Sequence, residues 1–478
     1  MKLGRILVLL VLLAGLVAYL HFVELPQAEK EGKKDKLVAV DKDAVVGVVL
    51  AYPDHTIELK KVDNGWRLVK PLDAPADDNA VKSLVGTLTD AQVEKTLDEA
   101  PTDLSTFGLD KPTPLVTLSV ASGTAPPTIA VGKNTPIGSK SYVRKGDEPK
   151  VYVTTSSLQF ALNKQPKDLR DKDVFHFQDD DVQRVDITGE KGGTTSLVRK
   201  GKDDWSVEPG DHPADATDTR SYLSSLRATR AVDFPDDAPA DLGKYGLLTP
   251  RLTVTIATGK DGADKQTLLI GGETTAPGAT PQSPQKQLYA KRADAPTVYA
   301  LGEWSLRTLD KTGAQLRDKT VLGFDPGKVG EFTVERKDGG TVTVARAESS
   351  WKVSGVGDKK PNDAAISRFL EDLKDLHGSD IAAEPVAAKD LAAWGLDAPD
   401  VRIGLTDKDG KPLGAVLSAQ HDGKRYVMRD GGSTVFEARD YIYQRLDKKA
   451  ADFVAMEVAP PAAGAVPPVS LPAADDGE

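Results

Sequence analysis

One ten-residue pattern occurs three times in this chain and restricts its fold more than any other feature. It reads Asp103-Leu104-Ser105-Thr106-Phe107-Gly108-Leu109-Asp110-Lys111-Pro112, then Asp241-Leu242-Gly243-Lys244-Tyr245-Gly246-Leu247-Leu248-Thr249-Pro250, then Asp390-Leu391-Ala392-Ala393-Trp394-Gly395-Leu396-Asp397-Ala398-Pro399. The turn glycines lie 138 and 149 residues apart, so the chain is a tandem array of three similar domains. Each position has a mechanical reason. Asp caps a short helical turn, and Leu and the aromatic three residues on share its face. Gly takes the left-handed residue that stops the turn, with the next Leu folding back on it, and Pro prevents the helix from resuming. Phe107, Gly108, Leu109 and Pro112, with Tyr245, Gly246, Leu247 and Pro250 and with Trp394, Gly395, Leu396 and Pro399, therefore read as structural punctuation, with nothing nucleophilic or ligand-like among them.

Other landmarks keep step with this pattern. Trp66, Trp205 and Trp351 stand 42, 41 and 44 residues before the turn glycines. Tyr142, Tyr289 and Tyr426 each precede Tyr152, Tyr299 or Phe436 by ten, and Leu162, Leu309 and Leu446 follow after ten more. In the first copy, β-rich stretches at Val45–Tyr52, Thr56–Val62 and Trp66–Lys70 precede a helix from about Asp78. Val81, Leu84, Val85 and Leu88 mark one face of that helix. Further strands are expected near residues 115–121, 128–131, 142–144 and 151–154, then a short helix over 156–162. Mixed strands and helices within units far longer than solenoid repeats predict an α+β class of three tandem domains built on mainly antiparallel sheets. The expected boundaries are 44–175, 176–325 and 326–456, like beads joined by short connectors. Residues 276–287, rich in Pro, Gly and Thr, read as an exposed loop inserted in the second copy.

Lys2 and Arg5 precede an uncharged run from Ile6 to Val23. Eighteen residues at helical rise span ~27 Å, enough for a bilayer core, and no small-x-small cleavage site follows. Residues 1–23 thus read as one N-terminal transmembrane signal anchor, contacting the lipid bilayer through 6–23. A polar linker over 24–43 and a disordered Pro/Ala-rich tail over 457–478 complete the plan. The expected location is the cytoplasmic membrane, single-pass, with the bulk of the chain extracytoplasmic.

The 478 residues carry a formal net charge of −10 and no cysteine. That balance argues against a nucleic-acid surface, and the absence of Cys removes disulfides, thiol catalysis and Cys-ligated zinc. The six histidines are scattered without metal-ligand spacing. Neither a P-loop nor a nucleophile elbow is present. Asp407-Lys408-Asp409-Gly410 resembles the start of a calcium loop but lacks its remaining ligands, so a hairpin turn is expected. No catalytic, cofactor-binding or metal residue is expected. The tryptophans Trp66, Trp205 and Trp351, though able to stack on sugars, read as core because they recur at one place in each copy.

Leu169-Arg170-Asp171-Lys172 and Leu316-Arg317-Asp318-Lys319 end the first two copies, where another domain follows. The third copy has Phe453-Val454-Ala455-Met456 there. The expectation is that Arg170 with Asp171, and Arg317 with Asp318, fix inter-domain joints through charge-assisted hydrogen bonds.

Taken together, the Trp-x-Val-type strands, the Ala76-Asp77-Asp78 and Ala214-Asp215 helix starts, the aromatic-Gly-Leu-x-x-Pro turn and the Leu-Arg-Asp-Lys ending resemble the bacterial domain of unknown function 4340 family. The resemblance runs from the anchor to about Met456. It implies a single-pass envelope protein and an auxiliary role beside ABC-type export systems of the gliding-motility kind, with a transporter permease and ATPase as partners. It implies no catalytic residues. Trp394 and the lost Leu-Arg-Asp-Lys set the third copy apart. The reading that follows is a non-enzymatic, membrane-anchored accessory or scaffold subunit of an envelope complex. The alternatives are a cell-wall glycan-binding module and, third, an envelope hydrolase.

Overall fold

The alternation of buried and exposed residues builds three antiparallel sheets in succession. The computed structural model describes residues 35–455 apart from 64, 99–100, 139, 156–157, 191–192, 281 and 349. The first repeat comprises β1 (Val45–Ala51), β2 (Thr56–Val62), β3 (Gly65–Lys70), β4 (Ala74–Pro75), α1 (Asp78–Asp90), β5 (Val93–Asp98), β6 (Leu115–Val120), β7 (Ile129–Asn134), β8 (Ser141–Lys145), β9 (Val151–Thr154), α2 (Leu158–Ala161) and α3 (Pro166–Leu169). Its sheet runs β4-β3-β2-β1-β6-β7-β8-β9-β5.

The second repeat supplies β10 (Val182–Thr188), β11 (Thr194–Arg199), β12 (Trp205–Glu208), β13 (His212–Pro213), α4 (Ala216–Arg227), β14 (Asp233–Asp236), β15 (Leu252–Thr258), β16 (Asp264–Thr275), β17 (Lys286–Arg292) and β18 (Val298–Gly302). Its order, β13-β12-β11-β10-β15-β16-β17-β18-β14, repeats the first. The third sheet holds β19 (Val329–Arg336), β20 (Thr341–Ala347), β21 (Ser350–Val353), β22 (Asp380–Ala383), β23 (Val401–Asp407), β24 (Pro412–His421), β25 (Lys424–Arg429) and β26 (Val435–Ala438), with helix α5 (Asp363–Lys374) between β21 and β22. It runs β21-β20-β19-β23-β24-β25-β26-β22. The α+β class with three tandem antiparallel sheets is therefore the fold.

The first and third sheets each carry a larger core on one face and a smaller one on the other. The Asp77 carboxylate accepts from the Asn79 and Ala80 amides and starts α1, whose Val81, Leu84, Val85 and Leu88 are all buried. They pack with Val48, Leu59, Leu68, Val131 and Val143. Alternate residues of the same strands point the other way: Ala130 and Tyr142 meet Leu104, Phe107 and Leu109 of the repeated turn. In the third repeat Leu417, Ala419, Met428 and Tyr426 meet Leu391, Trp394 and Leu396 in the same manner. The turn is thus a lid for the back of the sheet. Gly108, Gly246 and Gly395 all have φ near 67–68°, the left-handed region that favours glycine, and the amide after each donates back to Leu104, Leu242 or Leu391. The motif aromatics Phe107 and Tyr245 lie edge-on to Tyr142 and Tyr289 at 5.2 and 4.8 Å. Gly132 is required beneath the lid, since a Cβ there would sit 2.2 Å from the Phe107 carbonyl oxygen.

By internal packing the described residues form two compact units, which divide within the second repeat. One holds residues 35–176, Arg227–Leu247 and Gly272–Glu303; the other holds Phe177–Leu226, Leu248–Gly271 and 304–455.

Two features differ from the sequence reading. The end of the expected polar linker is part of the first repeat: Lys36 bridges Gln92, and Leu37 and Val38 are 2% and 1% exposed, because two apolar side chains there reach the core beside α1. The inserted stretch of the second repeat extends a hairpin, with the Ala276 amide donating to Gln285 O at 2.8 Å and Thr280 bridging Ser283. The segment expected to cross a bilayer, residues 6–23, lies outside the described residues, as does the 457–478 tail. Among the described residues no helix is long and apolar enough to cross a membrane.

Candidate functional site at the repeat junctions

The charged residues singled out at the ends of the first two repeats lie where one repeat meets the next. Backbone pairing puts them there. Ala76 bridges Arg170, Ala214 bridges Arg317, and Pro361 bridges Val454, so these three residues occupy one structural position. Directly after the arginines the chain pairs with the following repeat. The Ala231 amide donates to Lys172 O at 2.8 Å and the Val174 amide to Thr229 O at 3.1 Å. At the next junction the Gly378 amide donates to Lys319 O and the Val321 amide to Leu376 O, both at 2.9 Å. In the first repeat the same slot is filled by the Leu37 amide donating to Ala91 O and the Val93 amide donating to Asp35 O.

In this register Asp35, Lys172 and Lys319 occupy one position, and Leu37, Val174 and Val321 another. Asp171-Lys172-Asp173-Val174 and Asp318-Lys319-Thr320-Val321 share the pattern Asp-Lys-x-Val, whereas Asp35-Lys36-Leu37-Val38 carries it one residue out of register. Leu37, Val174 and Val321 are all buried. At the two junctions the following repeat therefore opens at Asp171 and Asp318, and Leu-Arg closes the repeat before. The recurring Asp-Lys-x-Val was the signal available in the sequence.

At the first junction Arg170, 6% exposed, reaches Asp237 Oδ1 with Nη2 at 2.8 Å. Asp237 directly follows the edge strand β14, and the Thr297 hydroxyl donates to the same oxygen at 3.3 Å. The Arg170 guanidinium also lies 3.8 Å from the centre of the Phe234 ring, a close cation–π contact. At the second junction Arg317 hydrogen-bonds Glu384, which directly follows edge strand β22, and Thr434 donates to Glu384 at 2.8 Å. Ile381 stands where Phe234 does. An arginine, an acid and a threonine thus recur as a clasp at both junctions. The hydrogen bond from Arg317, joined by that from Thr434, holds the Glu384 carboxyl below the usual carboxylate range despite partial burial.

Asp171 and Asp318 do not pair with the neighbouring arginines; each shapes the start of the next repeat. Asp171 accepts from the Asp173 amide at 2.9 Å and from His176 Nε2 at 2.7 Å. Burial pushes the Asp171 carboxyl up, but the hydrogen bonds from His176 and the Asp173 amide outweigh it and leave it below the usual range. The Asp171 hydrogen bond raises His176 above the ordinary histidine value against the opposing effect of burial. Asp318 accepts from the Thr320 amide at 2.8 Å and hydroxyl at 2.6 Å. Arg230 adds ion pairs to Asp77 at 2.8 Å and Asp173 at 2.9 Å. His377 holds the matching place at the second junction, bridging Thr320 as Arg230 bridges Asp173.

Two trios, Asp171 with Asp173 and His176, and Asp215 with Asp318 and His377, bring their oxygen and nitrogen atoms within 4.8 Å of one another. Those atoms are engaged in the junctions: Asp173 with Arg230, His377 Nδ1 with the Asp375 carbonyl at 2.8 Å and Nε2 with Thr320 Oγ1 at 3.0 Å. The geometry assigns them to structure. Elsewhere, Trp66, Trp205 and Trp351 are 6–8% exposed. Asp407 accepts from the Asp409 and Lys411 amides across a turn at Gly410.

Fold and junctions together define a tandem-repeat α+β protein in which each repeat leads into the next through backbone pairing and an arginine–acid contact. The chain belongs to the family described as Domain of unknown function (DUF4340), whose profile matches residues 66–239, 205–399 and 357–477. The first two matched spans contain the arginine and the acid of each clasp, Arg170 with Asp237 and Arg317 with Glu384, while Thr297 and Thr434 lie beyond the respective spans. No curated protein matches the chain.

Proposed function

We propose that this protein is a non-enzymatic scaffold or accessory subunit of a bacterial cell-envelope complex. In this reading residues 6–23 anchor it in the cytoplasmic membrane and the repeats project on the extracytoplasmic side. The observation that carries the scaffold reading is the recurrence of one clasp at both junctions: Arg170 to Asp237 with Thr297, and Arg317 to Glu384 with Thr434. Charged groups so arranged order successive repeats against each other and are engaged with one another in the folded chain. The anchored location rests on the uncharged run Ile6 to Val23. An ABC-type transporter, with its permease and ATPase, is the proposed partner on the strength of the family resemblance.

The test is affinity purification of the C-terminally tagged full chain from detergent-solubilised membranes of its native host. Stoichiometric recovery of a permease and an ATPase is the expected result. Recovery with wall fragments alone would overturn it in favour of glycan binding, and fractionation with the soluble cytoplasm would remove the anchor.

A further inference from the structure

The three repeats place a tryptophan at one site, and only two of them cover it with an arginine. In the second repeat Arg199 pairs with Trp205 across β11 and β12 and lays its guanidinium 4.4 Å from the ring centre. Its Nε and Nη2 donate to the carbonyls of Val182 and Asp179, each at 2.6 Å. In the third, Arg346 pairs with Trp351, lies 4.4 Å over its ring and donates to Val329 O at 3.3 Å. The cation fills the corner between the tryptophan strand and the turn that starts the repeat's first long strand.

In the first repeat the residue paired with Trp66 is Lys61. Val45 follows the same kind of short turn as Val182 and Val329, and Lys42 begins that turn as Asp179 does. The corner here is an open hollow of about 210 Å³, lined by Val45, Trp66, Val85 and Gly86 with Lys42, Lys61 and Lys82 at its rim. Two changes make it. Lysine has no planar fork to span both carbonyls, and Gly86 adds no side chain where the matching positions of α4 and α5 carry Ser224 and Glu371. A Cβ at Gly86 would meet nothing within 4 Å. The volume exceeds the roughly 150 Å³ cavity that holds a benzene ring.

The rim fixes the charge of an occupant. Asp43 and Asp90 also border the hollow, but Lys36 pairs with Asp90 at 3.8 Å, and the single carboxylate of Asp43 is outnumbered by Lys42 and Lys61. Lys82 pairs with Asp78 at 3.8 Å. Among the described residues neither Lys61 nor Lys42 has a side-chain hydrogen bond or ion pair. We infer that the first repeat carries a binding site for a small soluble amphiphilic anion, its flat or aliphatic body against Trp66, Val45 and Val85 and its anionic group toward Lys61 and Lys42. Binding of this kind is absent from the second and third repeats because an internal guanidinium occupies the place.

The probe is 2-naphthoate, titrated into the full chain in zwitterionic lipid nanodiscs after 5-fluorotryptophan labelling of its five tryptophans. The fluorine resonance assigned to Trp66 through Trp66→Phe is expected to move saturably while the other four stay in place. A Kd of about 1 mM or tighter suits a ligand of this size. Lys61→Arg keeps the net charge but restores the guanidinium of the other repeats, and Gly86→Leu fills the hollow; each should weaken binding at least tenfold. The four unmoved resonances report that each variant is folded. Native-like binding by Lys61→Arg or Gly86→Leu would overturn the site, as would a native Trp66 resonance that does not move. Equal affinity for uncharged 2-naphthalenemethanol would overturn the assignment of an anion.

Discussion

The two junctions share a backbone and differ in what their side chains add. Both use Asp-Lys-x-Val pairing and an arginine directed to the acid after an edge strand. The first adds a half-buried aromatic beneath the arginine and a second arginine between two acids. The second has Ile381 in place of Phe234 and His377 in place of Arg230. The backbone register is thus the common device, and side-chain strength is adjusted upon it. A clasp can be reinforced by stacking and a second arginine, or left as an ion pair with a histidine beside it, without moving a strand.

The largest expected effect comes from removing the arginines. Arg170→Ala deletes the ion pair of a buried arginine, its stacking on Phe234 and the packing of its stem, and should cost about 2–3 kcal/mol locally. Arg317→Ala lacks the aromatic term and should cost about 1–2 kcal/mol. The reporters are the amides that hydrogen-bond across each junction, Ala231 to Lys172 O and Gly378 to Lys319 O, followed by native-state hydrogen exchange. Equal losses at the two amides would break the contrast, because they would assign the strength to the backbone alone.

A smaller effect separates the junctions by pH. His176 is raised in the folded chain, so its contribution is fully present below about pH 6.5 and is lost as pH rises through its raised pKa. Asp171 is depressed, so its contribution is present above about pH 3.9 and is lost as pH falls through its lowered pKa. Their pair therefore supports the first junction between those limits. Glu384 is likewise depressed and supports the second junction above about pH 4.3, a contribution lost on acidification. Protection at Ala231, corrected for intrinsic exchange, should decline on the alkaline side, and His176→Gln should flatten that decline. An unchanged alkaline limb in His176→Gln would show that the Asp171–His176 hydrogen bond does not hold the junction.

Much of this was legible in the sequence, for reasons that particular residues illustrate. The spacing of Val81, Leu84, Val85 and Leu88 marks α1 because a helix face repeats in sequence. Gly108, Gly246 and Gly395 mark the lid because only a left-handed residue ends such a turn. Arg170 and Arg317 stand out because the third copy carries Val454 at their position. Their partners do not stand out. Asp237 and Glu384 lie at different distances before their turn glycines, and only the pairing of β14 with β18 and of β22 with β26 brings them to one position. Lys61 was equally silent, because a lysine opposite a tryptophan gains meaning only beside Arg199 and Arg346 in the same register. Local signals specify turns and helices, whereas sites made by strand pairing depend on register.

The smallest expected effect tests whether position or residue type makes the second junction weaker. Arg230 pairs with both Asp77 and Asp173, yet its side chain is half exposed, so solvent screening holds its contribution to a fraction of a kcal/mol. At the second junction Asp215 remains but Thr320 replaces Asp173, so His377→Arg would gain one acid rather than two. It would also lose the hydrogen bonds of His377 to the Asp375 carbonyl and Thr320. If cationic charge at this position is what matters, the gain should exceed that loss slightly, and protection at the Gly378 amide should rise about twofold, on the order of 0.4 kcal/mol. The reciprocal Arg230→His should lower protection at Ala231 by a similar factor. A severalfold fall at Gly378 in His377→Arg would reverse the comparison. The second junction would then be a distinct design in which the imidazole, held between Asp375 and Thr320, is itself the connecting piece.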